Sequence, residues 1–227
     1  MFIPILSAVT AFFAILTIVF RRRGKSFDGM LCKFISSFGF MSIAFIGFCY
    51  HMQHPFYFCL VAFGLLFGLG GDVLLGIKEI APKYKNKLIA LGTMSFMIGH
   101  IFFIAAFYRE YPKFSIFPIL TAVVLTAIGA ITIKVFKLKV DTKMCIMLII
   151  YLLIITFGAS VSGYIYFMTK SRTFLIAFIA SVLFVISDVI LSFVYFTPIK
   201  SKNRLVTLEL TTYYAGQLMM AATVYLI

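Results

Sequence analysis

The chain has 227 residues, of which 63% are hydrophobic, 18% aromatic and 12% charged. So few charges cannot cover so much apolar surface in water; this excludes soluble, disordered, collagen-like and disulfide-scaffold proteins and leaves a polytopic membrane protein. The net charge of +13 must then be read by position relative to the membrane rather than as affinity for nucleic acid.

A spanning helix needs about 20 apolar residues. Eight stretches qualify, over residues 2–20, 31–50, 55–77, 88–108, 116–136, 144–168, 173–196 and 205–227. The expected fold is therefore all-α, a single domain over 1–227 with eight transmembrane helices. Continuous apolar runs argue against a membrane β-barrel, which would alternate. The first stretch has no basic segment before it, and Arg21, Arg22 and Arg23 follow it. It reads as an uncleaved helix rather than a signal peptide, with the arginines as a topology anchor that also meets anionic lipid. Loop one also holds Lys25 and Lys33. Loop two is short and carries His51 and His54, too few ligands for a metal site. Cys49 and Cys59 flank it, and for them and for Cys32 and Cys145 a buried apolar role is favoured over a disulfide.

The third helix contains Gly64, Gly68, Asp72 and Gly76 at four-residue spacing, hence on one face. Such a small-residue seam admits a close neighbour. Loop three adds Lys78, Lys83, Lys85 and Lys87, and the fourth helix places His100 near its middle. Loop five adds Lys134, Lys137, Lys139 and Lys143, and loop seven Lys200, Lys202 and Arg204. Sixteen of the twenty basic residues thus mark the odd loops; only Arg109, Lys113, Lys170 and Arg172 mark the even ones. The positive-inside rule puts the odd loops in the cytoplasm and both termini on the other side.

Asp72, Asp188, Glu209, His100 and Gln217 fall within apolar helices. Ionisable groups placed there are expensive and mark functional interiors. At about 1.5 Å per residue, Asp72 lies about 7 Å and Asp188 about 12 Å from the odd-loop ends of their stretches. Glu209, Tyr213 and Gln217 share one face of the eighth helix. The layering suggests a cavity open to the cytoplasmic leaflet. Two echoes link the halves of the chain. Gly71-Asp72-Val73 resembles Ser187-Asp188-Val189 at an offset of 116, and Phe96 to His100 resembles Tyr213 to Gln217 at 117. Two parallel four-helix repeats follow, related by an axis along the membrane normal. They would set Asp72 and Asp188 across a central cavity. On residues alone, a carboxylate-pair enzyme and a proton- or cation-coupled transporter fit equally. A structural protein using polar residues as interhelical glue fits less well.

The Gly71-Asp72 and Gly99-His100 helices, Phe184 to Asp188, and Thr211-Thr212-Tyr213-Tyr214-Ala215-Gly216-Gln217 together resemble the YhhN family. The resemblance extends over nearly the whole chain. One departure is Ser192-Phe193-Val194-Tyr195-Phe196, where family members often carry an Ala-Leu-Asn-Lys-Phe-like run. The resemblance favours the enzyme. It implies hydrolysis of the vinyl ether bond of lysoplasmalogens, single-chain lysophospholipids of the bilayer, without metal or other cofactor. Such chemistry delivers a proton to carbon and adds water to an oxocarbenium-like cation, work suited to two carboxyl groups. The expected catalytic pair is Asp72 and Asp188. His100, Glu209, Tyr213 and Gln217 are expected to bind substrate or orient water, and Lys78 or Arg204 to hold a head-group phosphate.

Overall fold

The computed structural model describes residues 2–136, 138, 140–197 and 202–227. Among them the chain forms eight α-helices and a 3-10 turn over Pro82–Tyr84. The helices are α1 (Phe2–Arg22), α2 (Ser26–His51), α3 (Pro55–Ile80), α4 (Lys85–Glu110), α5 (Phe117–Val135), α6 (Thr142–Thr169), α7 (Arg172–Phe196) and α8 (Asn203–Leu226). Six, α1 to α4, α6 and α7, lie in stretches long and apolar enough to cross a membrane. The corresponding apolar segment in α5 is shorter, and α8 is long but interrupted by Glu209 and Gln217. Of the loop-five and loop-seven cations, Lys137, Lys139 and Lys200 lie outside the described residues.

The helix ends follow from local chemistry. Gly24 adopts φ 69°, a left-handed conformation suited to glycine, and turns the chain between α1 and α2. Pro55 starts α3, where its missing N–H costs nothing. The Asp141 carboxylate accepts a 2.7 Å bond from the Met144 amide and caps α6. One boundary differs from expectation with consequences: α2 begins at Ser26 rather than near 31. The polar segment Ser26-Phe27-Asp28-Gly29 is helical because Asp28 sits favourably in a first turn. Lys33, counted with the loop-one cations at the edge of the 31–50 stretch, therefore lies well inside the helix and is buried.

Helices α2, α3, α4, α6, α7 and α8 pack in that order as a closed ring, α8 returning to α2. Outside it, α1 lies against α2 and α8, and α5 lies against α6. The outer surface carries exposed Phe12, Phe38, Phe45, Ile101, Val124 and Ile150. Such an apolar exterior matches hydrocarbon rather than water. The core within the ring includes Phe40, Tyr57, Phe107, Ile155, Leu210 and Met220, each almost wholly buried. The ring also has a pairing rule. The contacts α1–α2, α2–α3, α3–α4 and α2–α8 reappear four helices later as α5–α6, α6–α7, α7–α8 and α6–α4. The one inner contact without a comparable counterpart is α3 against α8.

Close approach of α3 and α4 rests on glycine. A Cβ on Gly99 would lie 2.8 Å from the Gly64 carbonyl oxygen, a backbone atom that cannot swing aside. Gly99→Ala should therefore cost about 1–3 kcal/mol of stability. Gly158→Ala, whose Cβ meets only Ile104 side-chain atoms at 3.4 and 3.7 Å, should be neutral or gain up to about 1 kcal/mol in helix propensity. Thermal unfolding in detergent compares the two; equal midpoints would show that the seam does not set the α3–α4 distance.

Candidate active site

Every helix of the ring contributes a polar side chain to its interior. On α2, Lys33 and Ser37 lie one turn apart on the same face. The Lys33 ammonium sits 2.9 Å from Asp72 Oδ1 of α3, with both side chains almost fully buried. Asp72 Oδ2 accepts 2.8 Å bonds from the hydroxyls of Ser37 and of Tyr213 on α8. Gln217, one turn beyond Tyr213, donates through Nε2 to the Tyr213 oxygen at 2.9 Å. The Lys33 ammonium also lies 4.9 Å from the centre of the Tyr213 ring. Asp72 is thus a carboxylate held by one cation and two hydroxyls, as a buried ion needs.

Asp188 differs. Its Oδ2 accepts a hydrogen bond from the Tyr151 hydroxyl of α6, and no Lys, Arg or His lies within ion-pair distance among the described residues. Asp72 and Asp188 do not hydrogen-bond each other. Each lies eight residues before the end of its helix, so both sit about 12 Å from that end. The sequence reading placed Asp72 higher because it ended the third helix three residues early. Glu209 is buried on α8. Its Oε2 has no hydrogen-bond partner among the described residues. Its backbone carbonyl accepts from Ser187 at 3.1 Å, locking α8 to α7 beside Asp188. His100 on α4 is buried among rings, with centroids of Phe184, Phe103 and Tyr151 at 5.2, 5.7 and 6.0 Å.

Cavities surround this interior unequally. A vestibule of about 490 Å³ at the odd-loop end is lined by Arg21, Lys33, Lys78, Glu79, Lys85 and Lys202, among others. An apolar cleft of about 270 Å³ lies between α5, α6 and α7, with Tyr151 and Asp188 among its few polar walls. Two smaller spaces, of about 30 and 10 Å³, also reach Asp188. The smaller one is bounded by His100, Tyr213 and Gln217. Asp72 is not among the lining residues of these cavities.

All six expected site residues lie in the ring interior: Asp72, Tyr213 and Gln217 in one hydrogen-bonded group, Asp188 and His100 around the inner spaces, Glu209 beside them. Three partners were not anticipated. Lys33 was counted with the loop-one cations and Ser37 was not singled out, although both lie in the 31–50 stretch and their four-residue spacing was a usable signal. Tyr151 carried no signal in sequence, because an isolated tyrosine in an apolar helix is usually a core residue. Of the rim cations expected to hold phosphate, Lys78 lines the vestibule and Arg204 does not; Arg204 is exposed on the first turn of α8. At the opposite end His54 Nδ1 meets Glu110 Oε2 at 2.7 Å. Cys49 and Cys59 are exposed free thiols, and of the four cysteines Cys32 is the buried one. The expectation of four buried cysteines is corrected, since Cys49 and Cys59 lie at helix ends where the ring does not cover them.

Compared with known protein families, residues 30–224 match the YhhN family. The chain belongs to that family, which includes lysoplasmalogenases. No curated protein and no solved structure matches the chain.

Removing one partner of a buried ion pair leaves the other charge uncompensated, at a cost of about 3–5 kcal/mol. Lys33→Met should therefore lower stability by that amount. The double variant Lys33→Met with Asp72→Asn should recover much of the loss. Unfolding midpoints of the wild type, both single variants and the double variant measure the coupling; additive losses would refute the pair.

Proposed function

We propose that the protein is a membrane hydrolase that cleaves the vinyl ether bond of lysoplasmalogens. The products are a fatty aldehyde and glycerophosphoethanolamine or glycerophosphocholine. The observation that carries this reading is the contrast between the two carboxyl groups. Asp72 is held as an ion by Lys33, while Asp188 has, among the described residues, a phenol as its side-chain partner and lines the apolar cleft.

In the proposed reaction Asp188 protonates the vinyl carbon remote from the ether oxygen. The double bond becomes an oxocarbenium ion. Water adds to the carbon next to oxygen, losing its proton to a carboxylate, and the resulting hemiacetal breaks to aldehyde and glycerol hydroxyl. Tyr151 orients the acid. Asp72, with its charge fixed by Lys33, stabilises the cation electrostatically. Tyr213 and Gln217 position the water, and His100 and Glu209 shape the polar floor. Carboxyl pairs in glycosidases divide their labour in a comparable way. No cofactor is part of this reading.

The proposed membrane arrangement has all eight helices crossing as one domain. The odd loops are cytoplasmic and both termini lie on the other side. The charge bias of the loops supports the orientation. The place of α8 in the ring, with its polar groups turned inward, supports its crossing. The four-helix recurrence of contacts and the equal depth of the two aspartates support two parallel halves. A proton- or cation-coupled transporter is the competing reading, favoured by the same repeat. Against it, the half of the ring toward the even loops is filled by Tyr57, Phe103 and Phe107, and Tyr57 is bonded to Thr223 at 2.8 Å.

Purified protein should release aldehyde from a lysoplasmalogen. Asp188→Asn should reduce the rate by at least about 100-fold, the usual scale of general acid catalysis, and Asp72→Asn by a comparable factor while the protein still folds. Near wild-type rates in both variants, or ion uptake into liposomes without lipid turnover, would overturn the proposal.

A further inference from the structure

The cavities around Asp188 share walls. Leu75 and Tyr195 line both the vestibule and the 30 Å³ space, and Leu148, Tyr151, Asp188 and Ser192 line both that space and the apolar cleft. A polar chamber at the odd-loop end therefore adjoins an apolar one through the small space beside Asp188. The chambers have opposite chemistry. Five cations and one carboxylate, Glu79, line the vestibule. Lys33 is committed to Asp72, while Arg21 and Lys78 share Glu79 at 3.4 and 3.1 Å. Lys85 and Lys202 have no carboxylate within ion-pair distance among the described residues; the Lys202 ammonium donates to the Val194 carbonyl at 2.5 Å at the vestibule wall. Lys78 is buried with its ammonium 3.2 Å from the Tyr195 ring centre, so its charge is held at the cavity wall rather than free in water. An excess of positive charge in a partly enclosed site calls for an anion. The cleft, in contrast, follows α6 from Leu148 to Thr156, about 12 Å along the helix axis. Its wall at α5 is formed by a helix that, among the described residues, packs chiefly on α6.

We propose that vestibule and cleft form one binding track for a phospholipid with a single hydrocarbon chain. The phosphate sits against Lys78, Lys85 and Lys202, and the chain lies between α5, α6 and α7. The bond joining chain to head group then passes Asp188, the residue between the chambers. This deepens the hydrolase reading and rests on it for the bond that is cleaved, but binding is separable from cleavage. Charge complementarity fixes the direction of the lipid, because the reverse orientation would bury the phosphate in an apolar cleft.

The test uses the purified full chain and a ligand without a vinyl ether. Binding of 1-acyl lysophosphatidylethanolamine is compared with that of the monoacylglycerol of the same chain and with inorganic phosphate, by native mass spectrometry or thermophoresis. The lysophospholipid should bind at least tenfold more tightly than the monoacylglycerol. The Lys85→Gln and Lys202→Gln double variant should remove most of that preference, whereas Lys113→Gln, on an even loop, should keep it. Leu125→Trp, at the exposed edge of the cleft, should weaken both lipids alike and leave the preference intact. Equal affinity for the two lipids, an unaffected double variant, or phosphate alone binding as tightly as the lysophospholipid would overturn the track. Phosphate-dependent binding without vinyl ether hydrolysis would leave the track standing and refute the reaction. Hydrolysis without phosphate preference would do the reverse.

Discussion

The ion pair between Lys33 and Asp72 is the contact that organises the interior. Two charges buried in an apolar bundle are tolerated only when they meet closely and their remaining hydrogen-bonding capacity is used. Ser37 and Tyr213 supply the second carboxylate oxygen with both its bonds. In doing so they join α2, α3 and α8 at one point. Gln217 then becomes bound to Tyr213 rather than to the backbone, and Gly68 leaves the room that Gln217 and Tyr213 need. A large part of the polar content of the ring is thus fixed by one carboxylate and its partners.

The two halves of the proposed repeat diverge at the positions that touch the aspartates. Tyr213 of α8 bonds to Asp72, but the matching residue of α4 is Phe96, which has no hydroxyl to offer Asp188. Lys33 corresponds to Ile149 at the aspartate offset of 116, so the second half has no cation at that position. The consequence is steric as well as electrostatic. α3 and α8 approach closely around Asp72, whereas α4 and α7 meet through the rings of His100, Phe103 and Phe184. The space left between them is where His100 sits and where Asp188 meets a cavity. A nearly two-fold frame thereby presents two carboxyl groups of different character, one fixed as an ion and one accessible. Acid and electrostatic stabiliser need that difference in environment.

The distribution of cations follows a related logic. Basic residues that set topology also gather where the ends of α1, α3 and α7 and the starts of α2, α4 and α8 converge. Arg21 and Lys78 are partly compensated by Glu79 and by the ring of Tyr195. Lys85 and Lys202 are not paired with acids among the described residues. The same residues therefore serve orientation in the membrane and give the vestibule its positive potential.

Sequence by itself determined the all-α class, eight helical segments to within a few residues at most boundaries, the odd-loop charge bias and the burial of Asp72, His100, Glu209 and Gln217. It could do so because long apolar runs and charges in the wrong solvent are local signals. The partnerships were decided only by tertiary structure. Nothing in the neighbourhood of Lys33 says that it faces Asp72, and nothing near Tyr151 says that it faces Asp188. Those contacts join residues 35 or more positions apart on different helices, and they depend on how the ring closes. The start of α2 shows the same limit on a smaller scale. Charge composition argued for a loop up to about residue 30, but the chain is helical from Ser26 and Lys33 is buried against a carboxylate. The carboxyl groups looked alike in sequence because their flanking residues are alike. Their difference lies in the helices opposite, which only packing brings to them.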